Sequence, residues 1–164
     1  MARMKPTLPL AVATLLALGA APASAGSPRP SARLGQVILP SGHVLEVEVA
    51  DTPAKIQRGY MFRNGVSDRE GMVFLMDSLD FHAFWMKNCR VALDILWLDE
   101  AWRVVHMERN LPPCKDKGPC PSHPPLQAAL YVLEVQAGLA GREGLKLGDH
   151  IIFSAPPPTP SNQH

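Results

Sequence analysis

The chain has 164 residues, of which 46% are hydrophobic and 19% charged, and its formal net charge is +1. That length suits one domain with a real core. A near-neutral balance without a basic run excludes nucleic acid as the main partner. Beyond residue 25, no apolar stretch approaches the ~20 residues needed to span a bilayer.

Arg3 and Lys5 form a short basic segment, followed by a small-apolar run from Leu8 to Ala21. Ala23-Ser24-Ala25 then supplies the small residues of a cleavage site before Gly26. This is the layout of a secretory signal peptide over residues 1–25, and it predicts export to the periplasm or the extracellular space. The run is too short for a membrane anchor, and Pro9 and Pro22 bracket it. No Cys follows the cleavage site, so a lipoprotein anchor is not indicated. Cleavage takes the formal charge to −1 over 139 residues. Residues 26–32 read as a flexible Gly/Ser/Pro leader, 33–154 as the ordered domain and 155–164 as a disordered Pro-rich tail.

Within the domain, residues 36–39 and 44–49 read as a hairpin around Pro40-Ser41-Gly42. The second strand interleaves Val44, Leu45, Val47 and Val49 with Glu46 and Glu48, the pattern of a sheet with one wet face. Thr52-Pro53 starts a short helix, with Thr52 as N-cap and Pro53 in the first turn. Ile56 and Tyr60 share one of its faces, and Asn64-Gly65 closes the following turn.

Strands are predicted next over 72–76, 83–86, 95–98 and 103–107, with Asp99-Glu100-Ala101 as a tight turn. Pro112 to Pro125 is a long Pro-rich loop. Residues 129–135 form a further strand, 137–143 a short helix ended by Gly144, and 151–153 a last strand. The fold class is α+β and mainly β: a small barrel-like sheet, antiparallel or mixed, with one or two short helices.

Cys114 and Cys120 enclose a five-residue loop in a chain predicted to be exported, so a Cys114–Cys120 disulfide is expected. Cys89 is left over. It reads as a buried small hydrophobe, with a reactive thiol as the alternative.

No zinc spacing, serine elbow or phosphate-binding glycine loop is present. A cysteine nucleophile at Cys89 would need a neighbouring base, and His82 and His106 are the candidates. Met61, Met72, Met76, Met86 and Met107, with His82 and Trp85, offer ligands that suit Cu(I), although methionine is also ordinary core filler. Arg58, Arg63, Lys87, Asn88, Asp94 and Glu134 form either a structural ion-pair network or a polar pocket walled by Trp85 and Met72.

Several segments carry a recognisable pattern in order. They are Val-Ala-Asp-Thr-Pro over 49–53, Gln57-Arg58-Gly59-Tyr60-Met61-Phe62-Arg63 and Gly71-Met72-Val73-Phe74. Phe84-Trp85-Met86-Lys87-Asn88, Leu93-Asp94-Ile95, Tyr131-Val132-Leu133-Glu134, Ala137-Gly138 and Gly148-Asp149 follow. The chain closely resembles the uncharacterised bacterial and archaeal family called domain of unknown function 192, from about Val44 to Phe153. The resemblance implies a compact, mostly β domain with a short helix and no established activity. Tyr60 stands where the family usually has Leu, and Cys89 where it usually has Thr. His82 lies outside the shared pattern.

The resulting expectation is an exported cell-envelope accessory or small-ligand-binding domain, leaning away from an enzyme without excluding one. Its ligand-binding residues would be Arg63, Met72, Trp85, Lys87, Asn88, Asp94 and Glu134. Its partner would be a small polar or anionic ligand, or an envelope protein. No cofactor or metal is assigned, and no transmembrane segment follows signal cleavage. Two alternatives stay open. One is an enzyme on a small envelope or sugar-like substrate, using Asp94 or Glu134 as acid/base with Lys87 or Arg63 holding an anion. The other is a periplasmic Cu(I) carrier using Met, His and Trp.

Overall fold

Strand β1 (Leu34–Ile38) turns through residues 39–43 into β2 (Val44–Ala50), and the two pair antiparallel with Val37 opposite Leu45. The computed structural model describes residues 32–114 and 118–156. The predicted signal peptide and nearly all of the predicted leader and tail lie outside them.

Helix α1 (Pro53–Arg58) follows β2, and the Thr52 side chain accepts from the Lys55 N–H at its start. This segment is a crossover, because β3 (Glu70–Asp80) pairs parallel with β2. β4 (Phe84–Trp85) is very short, and β5 (Leu93–Leu98) and β6 (Val104–Leu111) form a hairpin. β7 (Ser122–His123) lies inside the Pro-rich loop and pairs with β4. β8 (Ala129–Gln136), α2 (Leu139–Arg142) and β9 (Ile152–Ser154) complete the chain. The Cys114–Cys120 disulfide is formed, with Cα atoms 5.4 Å apart. No helix among the described residues is long and apolar enough to cross a membrane.

The main sheet runs β6-β5-β8-β3-β2-β1-β9 and is mixed, with β2–β3 as its parallel pair. It is barrel-like but open. The two ends of the sheet meet at the Arg103–His150 bridge, flanked by backbone hydrogen bonds from Val104 to Asp149, Gly148 to Val104 and Ile151 to Trp102, and not along a continuous ladder. Trp102 helps to draw them together by stacking on Tyr131 of β8 and Phe153 of β9.

Both faces of the sheet are buried at its centre. Val73, Leu96, Leu98, Leu133 and Val135 pack with Val37, Leu45 and Val47 on one face, closed by Leu139, Leu145 and Ile151. Met72, Phe74, Ile95, Trp97 and Val132 point the other way, beneath Tyr60, Met86 and Cys89. This explains why Leu93 to Leu98 is buried at every position. The wet face expected for β2 holds only at its start. Glu46 is exposed, whereas Val49 and Ala50 are both buried, on opposite faces, because α1 and the loop after it cover the second one.

Candidate functional site

The two buried carboxylates lie on adjacent strands but on opposite faces. In the β5–β8 register Asp94 stands opposite Val135, and Glu134 opposite Ile95. Asp94 is fully buried and its oxygens are occupied. Oδ1 accepts from the N–H of Asn110 at 2.7 Å and of Gly138 at 3.0 Å, and Oδ2 from that of Ala140 at 2.9 Å. It thus ties β6 to the start of α2, satisfying donors that a short helix leaves orphaned.

Glu134 has a different setting. It is 3% exposed, and its Oε2 has no hydrogen-bond partner. Burial pushes its carboxyl up to about 8, with the Arg63 guanidinium offsetting only part of that rise. Burial therefore favours the protonated, neutral form of the group. A Cβ placed on Gly59 would stand 3.5 Å from Glu134 Oε2 and 3.4 Å from the Phe74 ring. Gly59 also has φ +43°, a conformation that favours glycine. The turn after α1 thus passes close over the carboxyl, and it is the backbone conformation, not lack of room, that favours glycine there.

Above Glu134 lies a cavity of about 290 Å³. Ile56, Gly59, Tyr60 and Met61 wall it on the helix side, and Phe74, Met76 and Glu134 on the sheet side. His82, Ala83, Phe84, Trp85 and Cys89 add to the wall, with Gln57 and Arg58 at its edge. Phe84 meets Phe74 edge-on with ring centroids 4.9 Å apart. Cys89 is a free, buried thiol, and burial with the neighbouring Glu134 charge pushes it up to about 11. It is protonated at neutral pH, which is unfavourable for a nucleophile.

Outside this cavity is a shallower groove of about 500 Å³. Gln57, Arg58, Phe62, Trp85, Lys87 and Asn88 line it. Gln57, Arg58, Met61 and Trp85 belong to both spaces, so the groove adjoins the cavity. The Lys87 ammonium sits 4.9 Å from the Trp85 ring centroid, and Trp85 is 44% exposed. Phe62 and Asn88 both have positive φ, 64° and 57°. The Phe62 N–H donates to the Asn88 carbonyl at 2.8 Å, and the Asn88 amide reaches Met61 Sδ at 3.6 Å. Two residues in an uncommon conformation hold each other at the mouth, where such strain often accompanies function.

The seven residues predicted from sequence therefore divide. Trp85, Lys87 and Asn88 line the groove, and Glu134 lies at the base of the cavity. Met72 is buried between Glu48 and Glu134 in the sheet register, beside the cavity and not in its wall. Arg63 is committed to Glu48 through both guanidinium Nη atoms, Nη2 to Oε2 at 2.7 Å, and it covers the Tyr60 ring. Asp94 is on the far face. The ion pairs expected of Arg63 or Lys87 with Asp94 or Glu134 are absent among the described residues.

Sequence reasoning did not place Gly59, Tyr60, Phe74 and Phe84 in a site. The available signal was that the 57–63 and 84–88 segments stand out together in the pattern. They converge on this cavity.

A family model, DUF192 (Uncharacterized ACR), matches residues 36–153. Two crystal structures are similar over most of the chain. One is a candidate transcription regulator from Sinorhizobium meliloti 1021, 27% identical, with a TM-score of 0.65, covering 78% of this chain and 98% of that one. The other is a protein of unknown function from Novosphingobium aromaticivorans DSM 12444, 33% identical, with a TM-score of 0.65, covering 82% of this chain and 99% of that one. No curated protein matches the chain.

Proposed function

The chain belongs to the DUF192 family, and from that premise we propose that it is an exported envelope domain that binds a small ligand in the cavity over Glu134. The observation that carries this reading is the buried Glu134 carboxyl, whose Oε2 meets no partner and which lines the cavity. A buried polar oxygen without a partner costs about 1–3 kcal/mol, and a ligand that hydrogen-bonds it recovers that cost. Arg58 and Lys87 at the mouth favour ligands that arrive with negative charge or good acceptors. Aromatic and thioether walls suit an apolar portion.

A binding role is better supported than an enzymatic one. Acid/base chemistry by Asp94 would require giving up three backbone hydrogen bonds. Glu134 has no second carboxylate in its cavity. Export is supported by the Arg3-to-Ala25 layout and by a disulfide of the kind that persists in oxidising compartments.

NMR titration of the purified protein with a panel of small polar and anionic solutes tests the site. Shifts should cluster on Gly59–Met61, Ala83–Trp85 and Cys89, and be lost in Trp85→Ala. Shifts nowhere, or only on the opposite face, would overturn it. Fractionation and N-terminal sequencing test export, with Gly26 as the expected mature start.

A further inference from the structure

We infer that the groove between the end of α1 and the 85–88 segment is a docking surface for an acidic, extended segment of another protein. Trp85 and Phe62 would hold an apolar side chain of that segment, and Arg58 and Lys87 its carboxylates. This goes beyond the small-ligand reading and rests on the groove alone. Among the described residues, two cations and no carboxylate line the groove, in a chain whose overall charge is close to zero. Arg58 and Lys87 are both exposed, and neither is joined to an acidic side chain among the described residues. Charge set apart in this way complements an acidic partner.

Large apolar side chains are exposed in the same place. Phe62 is 54% and Trp85 44% exposed, and both line the groove. Tryptophan and arginine are among the residues on which protein interfaces concentrate their binding energy. The Lys87 ammonium lies 4.9 Å from the Trp85 ring centroid, so charge and aromatic surface are offered together. Gln57 adds an amide that both donates and accepts, as a peptide main chain does.

Direct bonds hold these residues in one shape. The Met61 N–H donates to the Arg58 carbonyl at 3.0 Å, and the Phe62 N–H to that of Asn88 at 2.8 Å. The Asn88 amide reaches Met61 Sδ at 3.6 Å. The end of α1 is thereby fastened to the segment that carries Trp85 and Lys87, and a surface already fixed has less to order on binding. The shape selects among anionic partners. A small solute would leave much of its surface uncovered in so shallow a groove. A bilayer is flat and does not follow side chains into a recess. A narrow, extended chain fits both the recess and its mixture of apolar and charged groups.

The probe is a fluorescein-labelled short peptide that alternates glutamate with leucine, offered to the purified protein. Its comparison peptides carry glutamine or lysine in place of glutamate. The glutamate peptide should bind saturably and more weakly as salt rises, and the other two should not bind. Amide shifts should fall on Phe62, Trp85, Lys87 and Asn88. Arg58→Gln with Lys87→Gln should weaken binding about tenfold, and Trp85→Ala by a similar factor. Arg69→Gln with Lys146→Gln removes the same charge from exposed positions outside the groove and should leave binding as it was. Equal binding of the glutamine peptide, equal loss in both double variants, or no binding of any peptide would overturn the docking surface. Binding of phosphatidylglycerol vesicles or of free glutamate in place of the peptide would overturn it as well. Solute shifts at Gly59 and Cys89 test the cavity separately and stand or fall without this result.

Discussion

Glu134 and Asp94 are both buried acids, yet their surroundings give them opposite roles. Burial raises Glu134 from its ordinary 4.5 to about 8. Below pH 4.5 the group is protonated in the folded and the unfolded chain alike. Between 4.5 and 8 the unfolded chain releases that proton while the folded one keeps it. Stability therefore falls as pH rises through this window, by on the order of a few kcal/mol from this residue. Glu134→Gln should flatten the melting-temperature profile between pH 5 and 8, and an unchanged slope would show that Glu134 is not the cause. Asp94 instead joins three backbone donors. Asp94→Asn turns an amide donor toward one of them and should cost about 2 kcal/mol in urea unfolding. It should leave solute binding on the other face unchanged. A variant that keeps its stability but loses binding would move Asp94 into the site.

Among the elements, the short β4–β7 pair matters more than its length suggests. It carries Phe84 and Trp85, which wall the cavity, and it sits close to the Cys114–Cys120 loop. His123 of β7 also hydrogen-bonds Glu108 of β6 at 2.9 Å. The disulfide closes a separation of only six residues, so chain entropy assigns it about 2 kcal/mol. Reduction should lower the urea midpoint accordingly. It should also loosen the cavity wall, seen as faster hydrogen exchange at Phe84 and Trp85 than in β5. Equal protection before and after reduction would mean that the loop does not support β4. Helix α1 was legible because its signals are local: the Thr52 cap and the proline after it. The β4–β7 pairing was not, because Ser122-His123 has no strand pattern and pairs only where the fold brings Phe84 alongside.

Over the whole molecule, β5, β8 and β3 are buried on both faces, while the start of β6 meets the segment before β9 through the Arg103–His150 bridge and the backbone hydrogen bonds around it. Amide exchange should follow that order, slowest in β5 and β8 and faster in β9. Comparable protection in β9 would imply closure by a full ladder in solution. The mainly β architecture and the hairpins at both ends of the sheet were legible in alternation and turn residues. The parallel β2–β3 pair was not, since a crossover leaves no mark on the strands it joins.

The sequence by itself determined the family, the mainly β composition, the disulfide pair and the expectation of export. Each of these rests on residues close together along the chain or on segments in a fixed order. It also marked Glu134 and Asp94 as polar groups out of place among apolar neighbours. Only the tertiary structure decided between them. Facing is set by strand register, and Ile95 opposite Glu134 puts that carboxyl under Gly59 and the cavity. One residue along the register, Asp94 turns to the other face and spends its oxygens on backbone. A one-residue step reverses the side of a sheet, and no composition or spacing reveals which side is empty.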